Sequence, residues 1–214
     1  MKKTAFMACV FISFLSFSQK KVLKKIQSDS KQIEFYTAGL DDFVLENSTS
    51  NFIEIILFAE NPLEKHIIFN DDENVANISF QFNEIPEDET VFRKFITKRL
   101  ERARAIIKIP KDKKVIIFGE NINIESKNYT NEISIFIEKG IVKLNEIQAN
   151  TEIKIYAGTI FANLKKTNID VVSNIGKISV DSILYDKKYQ IKNLEFKKEL
   201  KITSVKANIF LTTK

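Results

Sequence analysis

Glu152 and Asp170 are the residues best placed for chemistry. They stand six residues before Gly158 and Gly176, and Ser134 holds the same place before Gly140. The three glycines recur at intervals of eighteen residues. If residue i sits over residue i+18 in parallel strands, the two carboxylates lie roughly 5 Å apart on an outward face. Carboxylates that close cannot both ionise freely, so one pKa rises. Such a pair suits acid/base cleavage of a glycan, or a hard cation such as Ca²⁺. The plainer reading, and the preferred one, is two solvated surface acids with Lys154 nearby.

Little else in the chain invites catalysis. His66 is the one histidine, flanked by Ile67 and Ile68. A lone imidazole beside apolar neighbours reads as a strand-edge residue. No His/Cys ligand cluster, Gly-rich phosphate loop or Gly-x-Ser-x-Gly elbow is present. The expectation is therefore a non-enzymatic protein with no catalytic residues, cofactor or metal site. Binding has better candidates. Tyr156, Phe161 and Phe210 fall off the apolar columns of the repeat, and exposed rings on a rigid sheet can stack on sugars or anchor a protein. Asp181-Ser182-Ile183 resembles a short O-glycosylation sequon.

The repeat is the element that would position all of these. Five residues before each glycine stand Ile135, Ile153 and Val171, and three before stand Ile137, Ile155 and Ser173. Two after stand Val142, Ile160 and Ile178, and four after stand Leu144, Ala162 and Val180. Alternation on either side is the period of a strand with one buried face. The phase shifts by one at the glycine, as a corner requires, and glycine tolerates corner geometry that side chains forbid. Asn145, Asn163 and Asp181, five residues on, mark a second corner, because Asn and Asp enter left-handed conformations readily.

The columns return at Ile202, Ser204, Ile209 and Leu211 if Ala207 takes the glycine's place. This last unit carries an insertion near 185–198, expected to be the most mobile part of the repeat. Fixed-period self-similarity implies stacking. The expected geometry over 103–214 is a β-solenoid with an eighteen-residue repeat. An antiparallel meander with a tight turn at Lys139-Gly140 is the other possibility.

Upstream, residues 1–18 read as a secretory signal peptide: Lys2 and Lys3, an apolar core over 5–17, and Ser16 and Ser18 before a cut at Gln19. The apolar run is short for a spanning helix, and Phe6-Met7-Ala8-Cys9 is a poor lipobox. Without Cys9 the mature chain has no cysteine. Its charge falls from +5 to +3, too slight to point to nucleic acid. No other stretch is apolar enough to cross a membrane as a helix.

Residues 19–102 alternate in short strands divided by Asn/Asp/Ser turns, the pattern of an antiparallel β region. One short helix is expected near 87–98, after the acids of Pro86-Glu87-Asp88-Glu89. The basic run from Arg93 to Arg104 reads as its exposed side and that of the next strand.

Strand, turn, Ile107-Lys108-Ile109-Pro110, then glycine-marked β repeats at Gly140, Gly158 and Gly176: this order resembles the family called putative adhesins with β-strand repeats, close to the head GIN-domain family, in Bacteroidota envelopes. The signal peptide ending in Phe17-Ser18-Gln19 resembles that group's exported proteins. The resemblance covers about 30–214 and implies a β-solenoid-like stack with an adhesive or surface role, and no catalytic residues. The functional expectation is an exported cell-envelope protein, in the periplasm, on the outer surface or secreted. It would present a rigid β-repeat surface to an envelope protein or glycan. The alternative is a glycan-acting β-helix enzyme using Glu152 and Asp170.

Overall fold

The computed structural model describes residues 20–72, 74–82 and 103–213. The expected signal peptide, the helix near 87–98 and most of the basic run lie outside these residues. Everything described is β-strand, turn, bend or irregular connection, apart from one 3-10 turn at Glu64–His66.

Sixteen strands form a single sheet. In the first half they are β1 (Lys20–Ile26), β2 (Gln32–Tyr36), β3 (Asp42–Asn47), β4 (Ile53–Ala59), β5 (Ile67–Asp72), β6 (Val75–Phe80), β7 (Arg104–Ile109) and β8 (Lys114–Asn121). The second half holds β9 (Asn123–Lys127), β10 (Ile133–Leu144), β11 (Thr151–Leu164), β12 (Thr167–Ser173) and β13 (Ile178–Val180). It ends with β14 (Ile183–Tyr185), β15 (Lys188–Ile191) and β16 (Lys198–Thr213).

The three long strands, β10, β11 and β16, each bend midway and so serve two arms. Their first halves continue the arm β5-β6-β2-β8 and pass on to β12 and β15. Their second halves continue the arm β1-β4-β7-β3-β9 and pass on to β13, which pairs β14. The folded sheet becomes a nearly closed, barrel-like body around one continuous apolar core. At one end the Lys24 ammonium donates to the Ile67 carbonyl at 2.7 Å, tying β1 to the start of β5. At the other, Tyr185 and Tyr189 bring β14 and β15 together with ring centroids 4.5 Å apart.

The bend comes from the residues. Ile135, Ile137, Val142 and Leu144 are all buried, so the inward parity changes between 137 and 142. The same columns are buried in β11, in β12 with β13, and in β16. Gly140 and Gly158 sit in register at the bend with φ of +151° and +139°. A Cβ on Gly158 would lie 2.0 Å from the Gly140 carbonyl oxygen, so successive backbones touch where a side chain would stand. Gly176 has no such φ, but its Cβ would meet the Ala207 oxygen at 1.9 Å. At Ala207 the Ser204 hydroxyl accepts from the backbone N–H at 2.8 Å. Ser173 donates to the Ala207 carbonyl, also at 2.8 Å. Both serines in the apolar column are thus satisfied inside the core.

The regular eighteen-residue solenoid does not form. An offset of eighteen holds from β8 and β9 to β10 and from β10 to β11, as in Ile117, Ile135 and Ile153. The next neighbour of β11 is β16, not β12. β16 is unbroken and matches β11 from Thr151↔Leu200 to Leu164↔Thr213. The segment 174–177 interrupts β12 and β13, so they make the poorer partner and are displaced outward.

The N-terminal pairing is mixed where alternation pointed to antiparallel strands. β2 lies parallel between β6 and β8, and β3 parallel between β7 and β9. Only β1-β4, β4-β7 and β5-β6 run antiparallel there. Alternation specifies a buried face and is blind to direction. Of the second corners, Asp181 alone takes a positive φ, +46°, followed by Ser182 at +71° in the two-residue turn joining β13 to β14. Two consecutive positive φ values match the right-handed twist of a hairpin. The Asp181 carboxylate accepts from the Thr213 backbone N–H at 2.9 Å and from its hydroxyl. Asn145 and Asn163 keep ordinary angles, and Asn163 lies within β11 opposite Thr212.

The insertion is partly a strand. Val172↔Lys188 to Ile169↔Ile191 pair β15 antiparallel against β12. Amides of 188–191 engaged by β12 are therefore expected to exchange more slowly than those of 192–197 in a hydrogen-exchange time course. Equal, fast exchange across both would remove β15 as a stable strand.

Candidate functional site

The carboxylate pair is not assembled. With β16 inserted, Glu152 and Asp170 both stand beside Lys201, one on each side. Two strand spacings separate them, about 9.5 Å at the backbone. Glu152 also pairs with the Lys154 ammonium at 3.2 Å. Asp170 Oδ1 is buried and has no hydrogen-bond partner among the described residues. A lysine thus stands where a proton-sharing pair would need the second acid. His66 likewise serves its own turn. Its Nδ1 accepts from the Leu63 backbone N–H at 3.2 Å, and its ring lies 5.7 Å from that of Phe82. Among the described residues no three His, Cys, Asp or Glu side chains gather as metal ligands.

The aromatics divide between the arms. Tyr156, Phe161 and Phe210 are 49%, 42% and 39% exposed. Phe161 and Phe210 are register partners and stack at 5.3 Å, so each covers one face of the other. Tyr156 lines a separate groove of about 490 Å³ on the outside of the sheet. Phe136 and Val205 stand among its apolar lining residues, and Glu138, Lys154 and Asn174 among its polar ones. The Lys154 ammonium lies 5.1 Å from the Phe136 ring centroid, and Lys206 lies 5.4 Å from that of Tyr156. Cations over rings leave the groove with an apolar base and a border of Lys154 and Lys206 beside Glu138.

Phe136 is also the end of a ladder. Tyr36, Phe118 and Phe136 are register partners across β2, β8 and β10, with centroids 5.2 and 5.6 Å apart. The Tyr36 hydroxyl donates to Glu34 at 2.9 Å. That carboxylate raises the Tyr36 pKa, and partial burial and its negative charge add to the effect. Sequence reasoning passed over Phe136, although it stands between the inward Ile135 and Ile137 and must point outward. Phe118 lies eighteen residues before it and carries the same signal. Tyr36 carries none, because nothing in the chain announces that β2 pairs with β8.

No protein-family model matches the chain, and no curated protein matches it in sequence. Solved structures do match its shape. One is a putative cell adhesion protein from Clostridium sporogenes, 12% identical, with a TM-score of 0.64 over 92% of this chain and 100% of that chain. A putative adhesin from Bacteroides fragilis is 13% identical, with a TM-score of 0.36 over 92% of this chain and 98% of that one. A putative lipid binding protein from Parabacteroides distasonis is 12% identical, with a TM-score of 0.28 over 91% of this chain and 97% of that one. At these identities the likeness concerns architecture, and the first of the three carries it: this chain has the fold of the Clostridium protein.

Proposed function

We propose that the chain is a non-enzymatic, exported protein of the cell envelope that binds through the outer face of its sheet, as an adhesin or assembly module. The observation that carries this reading is the groove of Phe136, Tyr156 and Val205, set on paired strands rather than on loops. Strands hold such a surface in place, so little ordering entropy is lost when a ligand docks. The apolar base with lysines at its border suits a glycan ring or an apolar side chain of an envelope protein. The shared fold with a protein described as a putative cell adhesion protein is in keeping with it. Export through residues 1–18 belongs to the same proposal.

The test is retention of envelope proteins from extract by the purified chain, alongside a glycan array. Tyr156→Ala should weaken the retained contact about tenfold, the effect of losing one well-packed aromatic. Glu152→Gln with Asp170→Asn should leave it unchanged, and no bound glycan should be cleaved. Turnover that the double variant abolishes would make the chain an enzyme. Retention untouched by Tyr156→Ala would move the binding surface elsewhere.

A further inference from the structure

The two ends of the second arm are unlike, and they are complementary. β14 pairs only with β13, and β1 only with β4, so each offers an unpaired backbone edge among the described residues. The segment from Asp181 to Asp186 reads Asp-Ser-Ile-Leu-Tyr-Asp, with two acids and no base. The segment from Lys20 to Lys25 reads Lys-Lys-Val-Leu-Lys-Lys, with four bases and no acid.

The register across the arm shows which residues of the two edges lie level. Leu184 lies level with Ser179, Phe210, Phe161 and Lys143. The row continues through Glu125, Val44, Ile106 and Ile56 to Leu23. The exposed leucine of one edge, 68% accessible, is thus level with the exposed leucine of the other, 46% accessible. By the same ladder Tyr185 falls level with Val22, and Asp186 is the next residue beyond it, as Lys21 is beyond Val22.

We infer that copies of this chain associate head to tail, β14 of one adding antiparallel to β1 of the next. Continued in register, Leu184 covers Leu23 and Asp186 faces Lys21. A second β1 edge would instead set lysines against lysines, which disfavours a two-fold contact through that strand. A contact between different surfaces gives a ring where its rotation closes and an open chain where it does not, so either way it recruits further copies. β14 is only three residues long, so each joint is weak and depends on its charges.

Light-scattering mass of the full purified chain tests this. At low salt the average mass should rise with concentration beyond a dimer, and fall back to the monomer in about 1 M salt, where charges are screened beyond about 3 Å. Leu184→Lys and Leu23→Lys should each give monomers, because each destroys one edge, and where the two altered positions meet the lysines repel. Mixed together, each still offers one intact edge, so they should form a 1:1 dimer and nothing longer. Both leucines are exposed, and an unchanged melting temperature confirms that the variants are folded. A monomer at every concentration overturns the inference. So does a wild-type dimer that never grows, or a mixture that stays monomeric. Retention of an envelope ligand at the groove is measured separately and stands or falls without it.

Discussion

Gly158→Ala is expected to lower stability by about 3–4 kcal/mol, and Gly158→Val by more. Two costs add. A residue with φ of +139° is outside the range an L side chain adopts comfortably, which costs about 1–3 kcal/mol. The added Cβ also lands 2.0 Å from the Gly140 oxygen. That neighbour is backbone in the adjacent strand, so relief requires β10 and β11 to part at the bend, breaking pairs on both sides. For a chain of this size each kcal/mol moves the melting temperature by about 2–4 °C, giving a fall near 10 °C. Gly39→Ala is the informative contrast. Gly39 has φ of +84°, but its Cβ would meet the Phe82 ring, a side chain able to move. It should cost less. If Gly158→Ala melted with wild type, or Gly39→Ala melted lower than Gly158→Ala, the close approach of backbones at the bend would not be what holds the two arms at their angle.

The inward residues of each strand were legible because burial imposes a period of two and a bend shifts its phase. Ile153, Ile155, Ile160 and Ala162 follow from that rule, and all are buried. The order of strands was not legible. Ile202 and Ser204 match Ile153 and Ile155 in β11 as well as Val171 and Ser173 in β12, so the columns fit on either side. The decision was made by continuity. β16 runs unbroken past the bend beside β11, whereas 174–177 divides β12 from β13. That choice places Lys201 between Glu152 and Asp170 and dissolves the carboxylate pair. The groove was half legible. Tyr156 stood out as a ring off the columns, but Val205 reaches it only because β16 adjoins β11. In the N-terminal half, the partners of β2 and β3 lie tens of residues away, and polar turns between strands reveal neither partner nor direction.

Alkaline pH should expose the role of Tyr129. Its side chain is buried, 1% accessible, and its hydroxyl donates to the Lys113 carbonyl at 2.5 Å. The Lys113 ammonium in turn donates to the carbonyls of Ser28 and Ser30, at 2.9 and 2.6 Å. Tyr129 thereby fastens the turn before β8 to the connection between β1 and β2. Burial pushes its pKa up to about 12, against a smaller opposing pull from Asn131. In the unfolded chain the phenol ionises near pH 10. Below pH 10 both states hold the proton, and the stabilisation linked to the neutral phenol is fully present. Between pH 10 and 12 the unfolded state loses its proton first, so stability falls, by about 2.7 kcal/mol in all. Tyr129→Phe removes that dependence at the cost of one hydrogen bond, about 1 kcal/mol. Wild type should therefore be the more stable at pH 8 and the variant the more stable at pH 12, the two denaturation midpoints crossing between. Parallel curves over that range would mean that Tyr129 reaches solvent, and that the fastening through Lys113 is not maintained.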